Sequence, residues 1–261
     1  MNSVQSVKSE PFGRSHPVAA GQAVFLPTLK YGVAWKLQQL LCEARHHNDI
    51  PDTLLLCEHD HVITMGRRKD SPKHILFPRF PVYAIERGGD VTYHGPGQLV
   101  GYPILALRKA VSDEYPFGEQ DLTAYLRALE QGLLLLLAQV GVSAARKPQH
   151  TGIWTADQAY KIASLGVAVR RFVTLHGFAL NVTTDLACFS AISPCGLSSM
   201  VMRSLASLGF SDLTVAGLVP ACAEALGTAL GRSFPLKTLE ESGLSPYLTQ
   251  AQTHPEPPQT P

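Results

Sequence analysis

Three strand-like segments in the second half of the chain place the strongest constraint on its fold. They cover residues 152–155, 161–169 and 173–182, and the connectors between them are only a few residues long. Connectors of this length join antiparallel neighbours in a hairpin. The sequence therefore predicts an antiparallel meander, with Lys161 at the start of its middle strand.

The rest of the chain mixes helical and strand patterns. Apolar residues at helical spacing predict helices over about 30–46, 121–139 and 214–230, the last closed by Gly231. Shorter apolar runs predict four more strands, at 53–57, 62–65, 82–85 and 99–107. Because both hairpin and helical connections occur, we expect an α/β fold with a mixed, largely antiparallel sheet packed by helices, rather than a doubly wound parallel sheet.

A length of 261 residues suits one large domain. We place this domain at 23–246, after a flexible leader at 1–22 and before a proline-rich tail at 247–261 that has too little apolar content to order itself. The leader carries charges and prolines but no continuous apolar core, which argues against a secretory signal.

Composition narrows the class of function. The 22 basic and 21 acidic side chains nearly cancel, so the chain lacks the global charge of a nucleic-acid binder, although 67–79 forms a local basic patch. Its richest apolar run is much shorter than the roughly 20 residues of a membrane span. Five scattered cysteines are an odd number, which favours reduced thiols. We expect a cytoplasmic protein, or a mitochondrial one if the source is eukaryotic.

The most unusual segment runs from Arg87 to Gln98 and contains four glycines and a proline among polar residues. Glycines leave room for a ligand against the main chain, so this segment is a candidate binding loop. An elaborate turn between strands is the structural alternative. A dinucleotide-binding loop fits less well, because neither the G-x-G-x-x-G spacing nor a following helix is present.

Three further segments carry polar groups in apolar or loop contexts. Cys195 lies between Pro194 and Gly196, Lys161 opens an apolar strand, and a third segment runs from His176 to Asn181. Each has a structural explanation on its own: an inert loop thiol, a solvated strand-end lysine and a bulged strand with a satisfied histidine.

Together the four segments resemble the lipoyl(octanoyl) transferase family, which is related in fold to biotin and lipoate protein ligases. The family pattern reads R-G-G-x-x-T-x-H-G-P-G-Q, K-I-x-S-x-G, H-G-x-A-x-N and P-C-G, and all four parts occur here in that order. The resemblance covers about residues 30–205. It implies transfer of an octanoyl group from octanoyl-acyl carrier protein to a lysine of a lipoyl domain, in a 2-oxoacid dehydrogenase E2 subunit or the glycine cleavage H protein.

The resemblance also assigns site residues. Cys195 would form the acyl-enzyme thioester and Lys161 would activate it, either as a cation or as a base. His176 and Asn181 would support the site, and neither ATP nor a metal would be needed. The substrate-binding residues would be Arg87, Gly88, Gly89, Asp90, Val91, Thr92, Tyr93, His94, Ser164, Leu165, Gly166, Gly177, Phe178 and Ala179.

Other functions remain open at this stage. An ATP-dependent lipoate or biotin ligase would share the fold but would not need a cysteine nucleophile. A cysteine hydrolase could pair Cys195 with His176 or His94. A metal-binding module could use the segment from Cys57 to His61, although no second ligand cluster is evident in the sequence.

Overall fold

A computed structural model describes residues 19–107, 121–193 and 201–259. In chain order the elements are β1 (Ala19–Leu26), α1 (Tyr31–His47), β2 (Asp52–Cys57), β3 (Val62–Met65), β4 (Val82–Ala84), β5 (Val91–His94), β6 (Gln98–Ile104), α2 (Leu122–Gln139), β7 (Ala144–Lys147), β8 (His150–Thr155), β9 (Lys161–Arg170), β10 (Val173–Asn181), α3 (Val215–Leu230), β11 (Arg232–Ser233), β12 (Leu236–Lys237) and α4 (Ser245–Thr253). All helices and strands predicted above are present, with ends shifted by a few residues.

The helix ends follow local chemistry. Helix α1 stops at Asn48, which adopts a left-handed conformation with φ 64°. Helix α3 begins after Thr214, whose hydroxyl accepts a hydrogen bond from the Gly217 amide, and it ends at the left-handed Gly231. These capping residues fix where each helix begins and ends.

The nine-stranded main sheet has the order β11-β1-β2-β6-β10-β9-β8-β7, with β12 also pairing β1. Strands β8, β9 and β10 form the predicted antiparallel meander. Strand β7, which was not predicted, adds a further antiparallel strand beside β8, and β6 and β2 continue the antiparallel pairing on the other side. Among the described strands of this sheet, the parallel pairs are those that β1 forms with β2, β11 and β12. The sheet is therefore mixed and largely antiparallel, as expected from the sequence.

Helices cover both faces of this sheet. Helices α2 and α3 pack together over one face in a core that includes Leu129, Leu133 and Leu226. Helices α1 and α4 cover the other face. A separate three-stranded sheet, with the order β4-β3-β5, packs its own core against residues 186–192. The loop that precedes β5 contacts β9 of the main sheet, where the Gly88 amide donates to the Val167 carbonyl.

The predicted chain ends need correction. Residues 19–22, assigned to the flexible leader, form the start of β1, and residues 1–18 lie outside the described part of the chain. Residues 247–259, assigned to a disordered tail, continue α4 and then pass beside α1 and β4. The Glu256 amide donates to the Gly32 carbonyl, and the Gln259 amide donates to the Val82 carbonyl. The tail has few apolar residues, but backbone hydrogen bonds hold it in place.

None of the helices in the described ranges is long and apolar enough to cross a membrane.

Candidate active site

A cavity of about 540 Å³ lies between the small sheet and the β9–β10 hairpin. Its volume falls in the range typical of small-molecule sites. Its apolar wall includes Val100, Leu126, Leu165, Val167 and Phe178, while Lys161, Arg87 and His94 contribute polar groups. The cavity therefore combines an apolar interior with a few convergent polar side chains.

The glycine-rich loop packs directly on β9. The Gly88 amide donates to the Val167 carbonyl at 3.0 Å. A Cβ atom at Gly166 would lie 2.9 Å from Arg87 Cδ and 3.1 Å from the Gly88 carbonyl oxygen. The glycine of the K-I-x-S-x-G segment is thus needed for the close approach of the Arg87 loop.

A chain of buried side chains links the loop to β10. Arg87 donates to the Thr64 hydroxyl at 3.0 Å, and that hydroxyl lies 3.3 Å from His94 Nε2. His94 Nδ1 is 2.8 Å from Gln98 Oε1, and Gln98 in turn donates to Asn181 Oδ1 at 2.9 Å. Residues from two of the four sequence segments, together with Thr64, therefore form one polar network.

His94 is neutral in this network. Burial, with a smaller contribution from the nearby His59, lowers the pKa of His94 to about 3, although its hydrogen bond with Gln98 acts in the opposite direction. Burial likewise lowers the pKa of His59 to about 4. Since both ring nitrogens of His94 contact Gln98 and Thr64, its geometry suits a positioning role.

His176 sits in a strained part of β10, where its φ of 59° is unusual for a residue with a side chain. The ladder between β6 and β10 runs from Phe178 to Asn181 and does not include His176. The His176 amide instead donates to Gln38 Oε1 of α1 at 2.8 Å. The distortion places the imidazole on the cavity wall.

The His176 ring faces a carboxylate. Its Nε2 lies 3.4 Å from Glu86 Oε2, which also accepts from Trp35 Nε1 at 3.1 Å. Burial lowers the pKa of His176 even though Glu86 acts to raise it. Burial alone would raise the pKa of Glu86, but its contacts with His176 and Trp35 outweigh that effect and the pKa is lowered. The pair therefore consists of a neutral imidazole and a carboxylate.

Lys161 enters the cavity at a bulge between β8 and β9. Gly152, on β8, has φ 133°, and a Cβ atom there would lie 2.5 Å from Lys161 Cε and 3.1 Å from its Nζ. The Gly152 amide donates to Oε1 of the fully buried Glu130 at 3.0 Å. The lysine side chain thus lies across a glycine whose backbone is held by a buried carboxylate.

Cys195 lies outside the described residues, as do its neighbours from 194 to 200. The chain on either side of that stretch is held near the cavity. The Ser193 amide donates to the His74 carbonyl at 2.8 Å, and His74 contacts the cavity-lining Asp90 at 2.6 Å. Met202 lines the cavity and pairs with Lys161 in a parallel bridge.

The cavity wall contains the predicted substrate-binding residues and supporting His176, with two exceptions among those described. Tyr93 was expected in the wall, but strand alternation turns it away from the cavity-facing Thr92 and His94 into the small-sheet core. There its hydroxyl contacts His61 Nδ1 at 2.7 Å. Asn181 acts from behind the wall, through Gln98.

Several cavity residues were not found from the sequence. Tyr31 lies at the first turn of α1, Arg68 follows β3, and Met202 follows the Cys195 segment. Tyr31 stacks on His94 with ring centroids 6.0 Å apart, and burial raises its pKa well above the ordinary value. These residues come from elements without a local motif, so only the assembled fold brings them to the site.

The histidines of the alternative metal-binding segment have separate partners. His59 contacts the Leu29 carbonyl at 2.5 Å and the Tyr102 hydroxyl at 2.7 Å, whereas His61 contacts Tyr93. Within the described ranges, no group of three or more His, Cys, Asp or Glu side chains is placed to hold a metal ion. Through these contacts, His59 and His61 connect this segment to Leu29, Tyr102 and Tyr93.

Comparison with known proteins places the chain among enzymes. Residues 30–227 match the lipoyl protein ligase A/B catalytic domain, and the chain belongs to that family. Its sequence is 46% identical over 183 residues to the octanoyltransferase of Pelobacter propionicus, covering 70% of this chain and 82% of the relative. It is 49% identical over 174 residues to the octanoyltransferase of Gloeobacter violaceus, covering 66% of this chain and 73% of the relative. The protein is thus an enzyme of the acyltransferase class.

Solved structures share the fold at low identity. A crystal structure of lipoate-protein ligase A bound with ATP matches with a TM-score of 0.68 at 16% identity, over 90% of this chain and 95% of the other. A putative lipoate protein ligase from T. acidophilum, solved with bound lipoic acid, also matches with a TM-score of 0.68, at 17% identity, over 88% of this chain and 94% of the other. The expected lipoate-ligase-like architecture is confirmed.

Proposed function

We propose that the protein transfers an octanoyl group from octanoyl-acyl carrier protein to a specific lysine of a lipoyl domain, the first step of endogenous protein lipoylation. The main support is the cavity wall, in which the Arg87 loop, β9 and β10 meet with Lys161. The names of the similar octanoyltransferases support the choice of acyl group. Acceptors would be the E2 subunits of 2-oxoacid dehydrogenases and the glycine cleavage H protein.

In the first half-reaction, the Cys195 thiolate attacks the carbonyl carbon of the carrier thioester. The carbon–sulfur bond to phosphopantetheine breaks, the carrier thiol leaves with a proton, and the octanoyl group stays on Cys195. An ordinary thiol is mostly protonated at neutral pH, so it needs a neighbouring base or cation. Lys161 is the candidate for this role, since its side chain reaches the cavity.

In the second half-reaction, a neutral lysine amine of the acceptor attacks the acyl-enzyme carbonyl. An amide bond forms, the bond to Cys195 sulfur breaks, and the amine proton passes to a base. Lys161 in its neutral form would accept that proton, which then returns to the thiolate or to solvent. Because the donor is already a thioester, the proposed reaction needs neither ATP nor a metal.

The apolar wall suits an acyl chain. Leu165, Val167 and Phe178 face the same space as Leu126 from α2. Burying a methylene group contributes about 0.8 kcal/mol, so an eight-carbon chain gains substantially over a short one. The depth of this space would set the preference for chain length.

Two other enzyme functions make different demands. An ATP-dependent ligase has the same fold, as the ATP-bound lipoate-protein ligase A illustrates, but would require a nucleotide for transfer. A Cys–His hydrolase would need a histidine with a ring nitrogen available to Cys195. The contacts of His94 with Gln98 and Thr64 make it a poor candidate for that base.

The proposal is tested with pure protein, octanoyl-acyl carrier protein and a lipoyl domain, without ATP or metal. We expect mass spectrometry to detect octanoyl-lysine on the lipoyl domain. Transfer that occurs only with ATP would support the ligase instead, and release of free octanoate would support the hydrolase.

Variants locate the nucleophile. Cys195→Ser should abolish the covalent octanoyl adduct, and Lys161→Ala should slow both its formation and its discharge. Cys188→Ser is the matched control, because Cys188 has its Sγ 3.9 Å from His61 Nδ1 and does not line the cavity. An adduct that survives in Cys195→Ser and disappears in Cys188→Ser would contradict the assignment.

A further inference from the structure

The connection between β3 and β4 concentrates positive charge on the surface. Residues 67–79 carry Arg67, Arg68, Lys69, Lys73 and Arg79, all exposed, with Asp70 as their one carboxylate. The whole chain has a net charge of only +1. Asp70 is already paired with Lys73 at 3.0 Å. The segment therefore presents mainly cations to an approaching partner.

Two adjacent apolar side chains stand out on the same segment. Leu76 is 50% exposed and Phe77 is 62% exposed, the largest exposure among the large hydrophobic residues of the described ranges. Exposed aromatic groups next to arginines are common at protein interfaces, where the apolar group supplies affinity and the charges supply orientation. We call residues 67–79 the basic rim.

The basic rim is fixed to the wall of the cavity. The Leu76 and Phe77 amides both donate to the Ala191 carbonyl, at 2.9 and 3.1 Å. Ile75 forms a β-bridge with Ile192. The rim is thus bonded to the stretch of chain that immediately precedes the Cys195 segment.

Arg68 extends the rim into the cavity. It lines the cavity while its side chain remains 54% exposed, and its guanidinium lies 3.9 Å from Asp90 Oδ2. Arginine is well suited to binding phosphate oxygens through paired hydrogen bonds. An anionic group that enters the cavity from the rim would therefore meet Arg68.

We propose that the basic rim docks the acidic carrier protein that delivers the acyl thioester, with Arg68 receiving the phosphate of its pantetheine arm. This inference rests on the proposed function. A carrier with a long, flexible arm needs a docking surface beside the cavity, not inside it. Complementary charge would speed its association, and Leu76 and Phe77 would make the apolar contact.

The test compares two donors. Phe77→Ala/Arg79→Glu changes the rim without altering a cavity-lining residue. With octanoyl-acyl carrier protein, we expect kcat/KM to fall about tenfold or more, mainly through KM, and its dependence on salt to weaken. With octanoyl-pantetheine, a small donor that has no carrier body, kcat/KM should stay within about twofold of the wild type, as should KM for the lipoyl domain.

The chain offers a matched control at the β9–β10 turn. Phe172→Ala/Arg170→Glu removes an aromatic group that is 54% exposed and reverses an exposed cation, away from the cavity lining. This variant should behave like the wild type with both donors. An equal loss with both donors in the rim variant would contradict docking, and a raised KM for the lipoyl domain alone would assign the surface to the acceptor.

Direct binding separates this inference from the proposed function. Fluorescence anisotropy with labelled octanoyl-acyl carrier protein should give a Kd about tenfold weaker for the rim variant than for the wild type and the control. Unchanged Kd values would overturn docking even if transfer is observed. Absence of transfer in the wild type, with intact rim-dependent binding, would instead overturn the octanoyltransferase reaction.

Discussion

Gly152 offers the sharpest test of how the fold positions Lys161. In Gly152→Ala, the new Cβ would lie 2.5 Å from Lys161 Cε and 2.7 Å from the Ala163 carbonyl oxygen, whereas carbon atoms in contact are about 3.5–4.0 Å apart. The lysine side chain must then move by roughly 1 Å or more. A displacement of about 1 Å at a reacting group can reduce the rate about 100-fold. We therefore expect octanoyl transfer to fall by roughly two orders of magnitude.

The same substitution should also affect stability, because φ of 133° at Gly152 is unfavourable for alanine. Such backbone strain costs about 1–3 kcal/mol, and for a chain of this size each kcal/mol lowers Tm by about 2–4 °C. Strain of about 2 kcal/mol should therefore lower Tm by roughly 4–8 °C. The variant should remain folded at 25 °C, where transfer is measured by mass spectrometry.

Gly209→Ala is the matched control. Gly209 has φ 98°, so alanine is strained there too, but no atom lies within 4 Å of its new Cβ. It should lose stability and keep its transfer rate. The pH dependence of Cys195 alkylation should change in Gly152→Ala and not in Gly209→Ala. If the rate of octanoyl transfer by Gly152→Ala stayed within about twofold of the wild-type rate, the geometry of this bulge would not determine how Lys161 acts.

Two other predictions concern the cavity. The lowered pKa values of His94 and His59, about 3 and 4, mean that the unfolded chain binds protons near pH 6.5 that the folded chain does not. The free energy of unfolding, measured with urea, should therefore fall as pH drops from about 6.5 to 5, by up to about 1.4 kcal/mol per pH unit for each histidine. His94→Gln should reduce this dependence on pH. An unchanged dependence in the variant would count against a neutral His94. Gly101→Ala would place a Cβ against the ring of the cavity-lining Phe178. In a competition between octanoyl and hexanoyl donors, the variant should transfer relatively more hexanoyl than the wild type does. An unchanged ratio of the two products would show that this ring does not limit chain length.

The parts of the fold that the sequence predicted are those with local signals. The meander follows from short connectors, and α1 and α3 end where Asn48 and Gly231 adopt left-handed conformations. Strand β1 has no such signal. It pairs with the two-residue strands β11 and β12, more than 200 residues away, so its place depends on contacts that only the assembled chain makes.

The residues of the candidate site also differ in whether a local sequence signal reveals them. The Arg87 loop was evident because glycines and polar side chains are adjacent in sequence. By contrast, the contact between Glu86 and His176 joins two residues far apart in the chain, and Gln38 reaches His176 only because α1 packs on β10. The motif does not indicate the direction of the Tyr93 side chain, because strand alternation is defined only once β5 is paired with β3.

The C-terminal segment shields one edge of the small sheet. Strand β4 is at the margin of the small sheet, and an unprotected margin can pair with a strand from another molecule. The Gln259 amide occupies the Val82 carbonyl on that strand. The neighbouring Pro255, Pro257 and Pro258 have no amide hydrogens. The segment therefore covers the exposed backbone edge of β4 and presents few amide hydrogens with which another strand could pair.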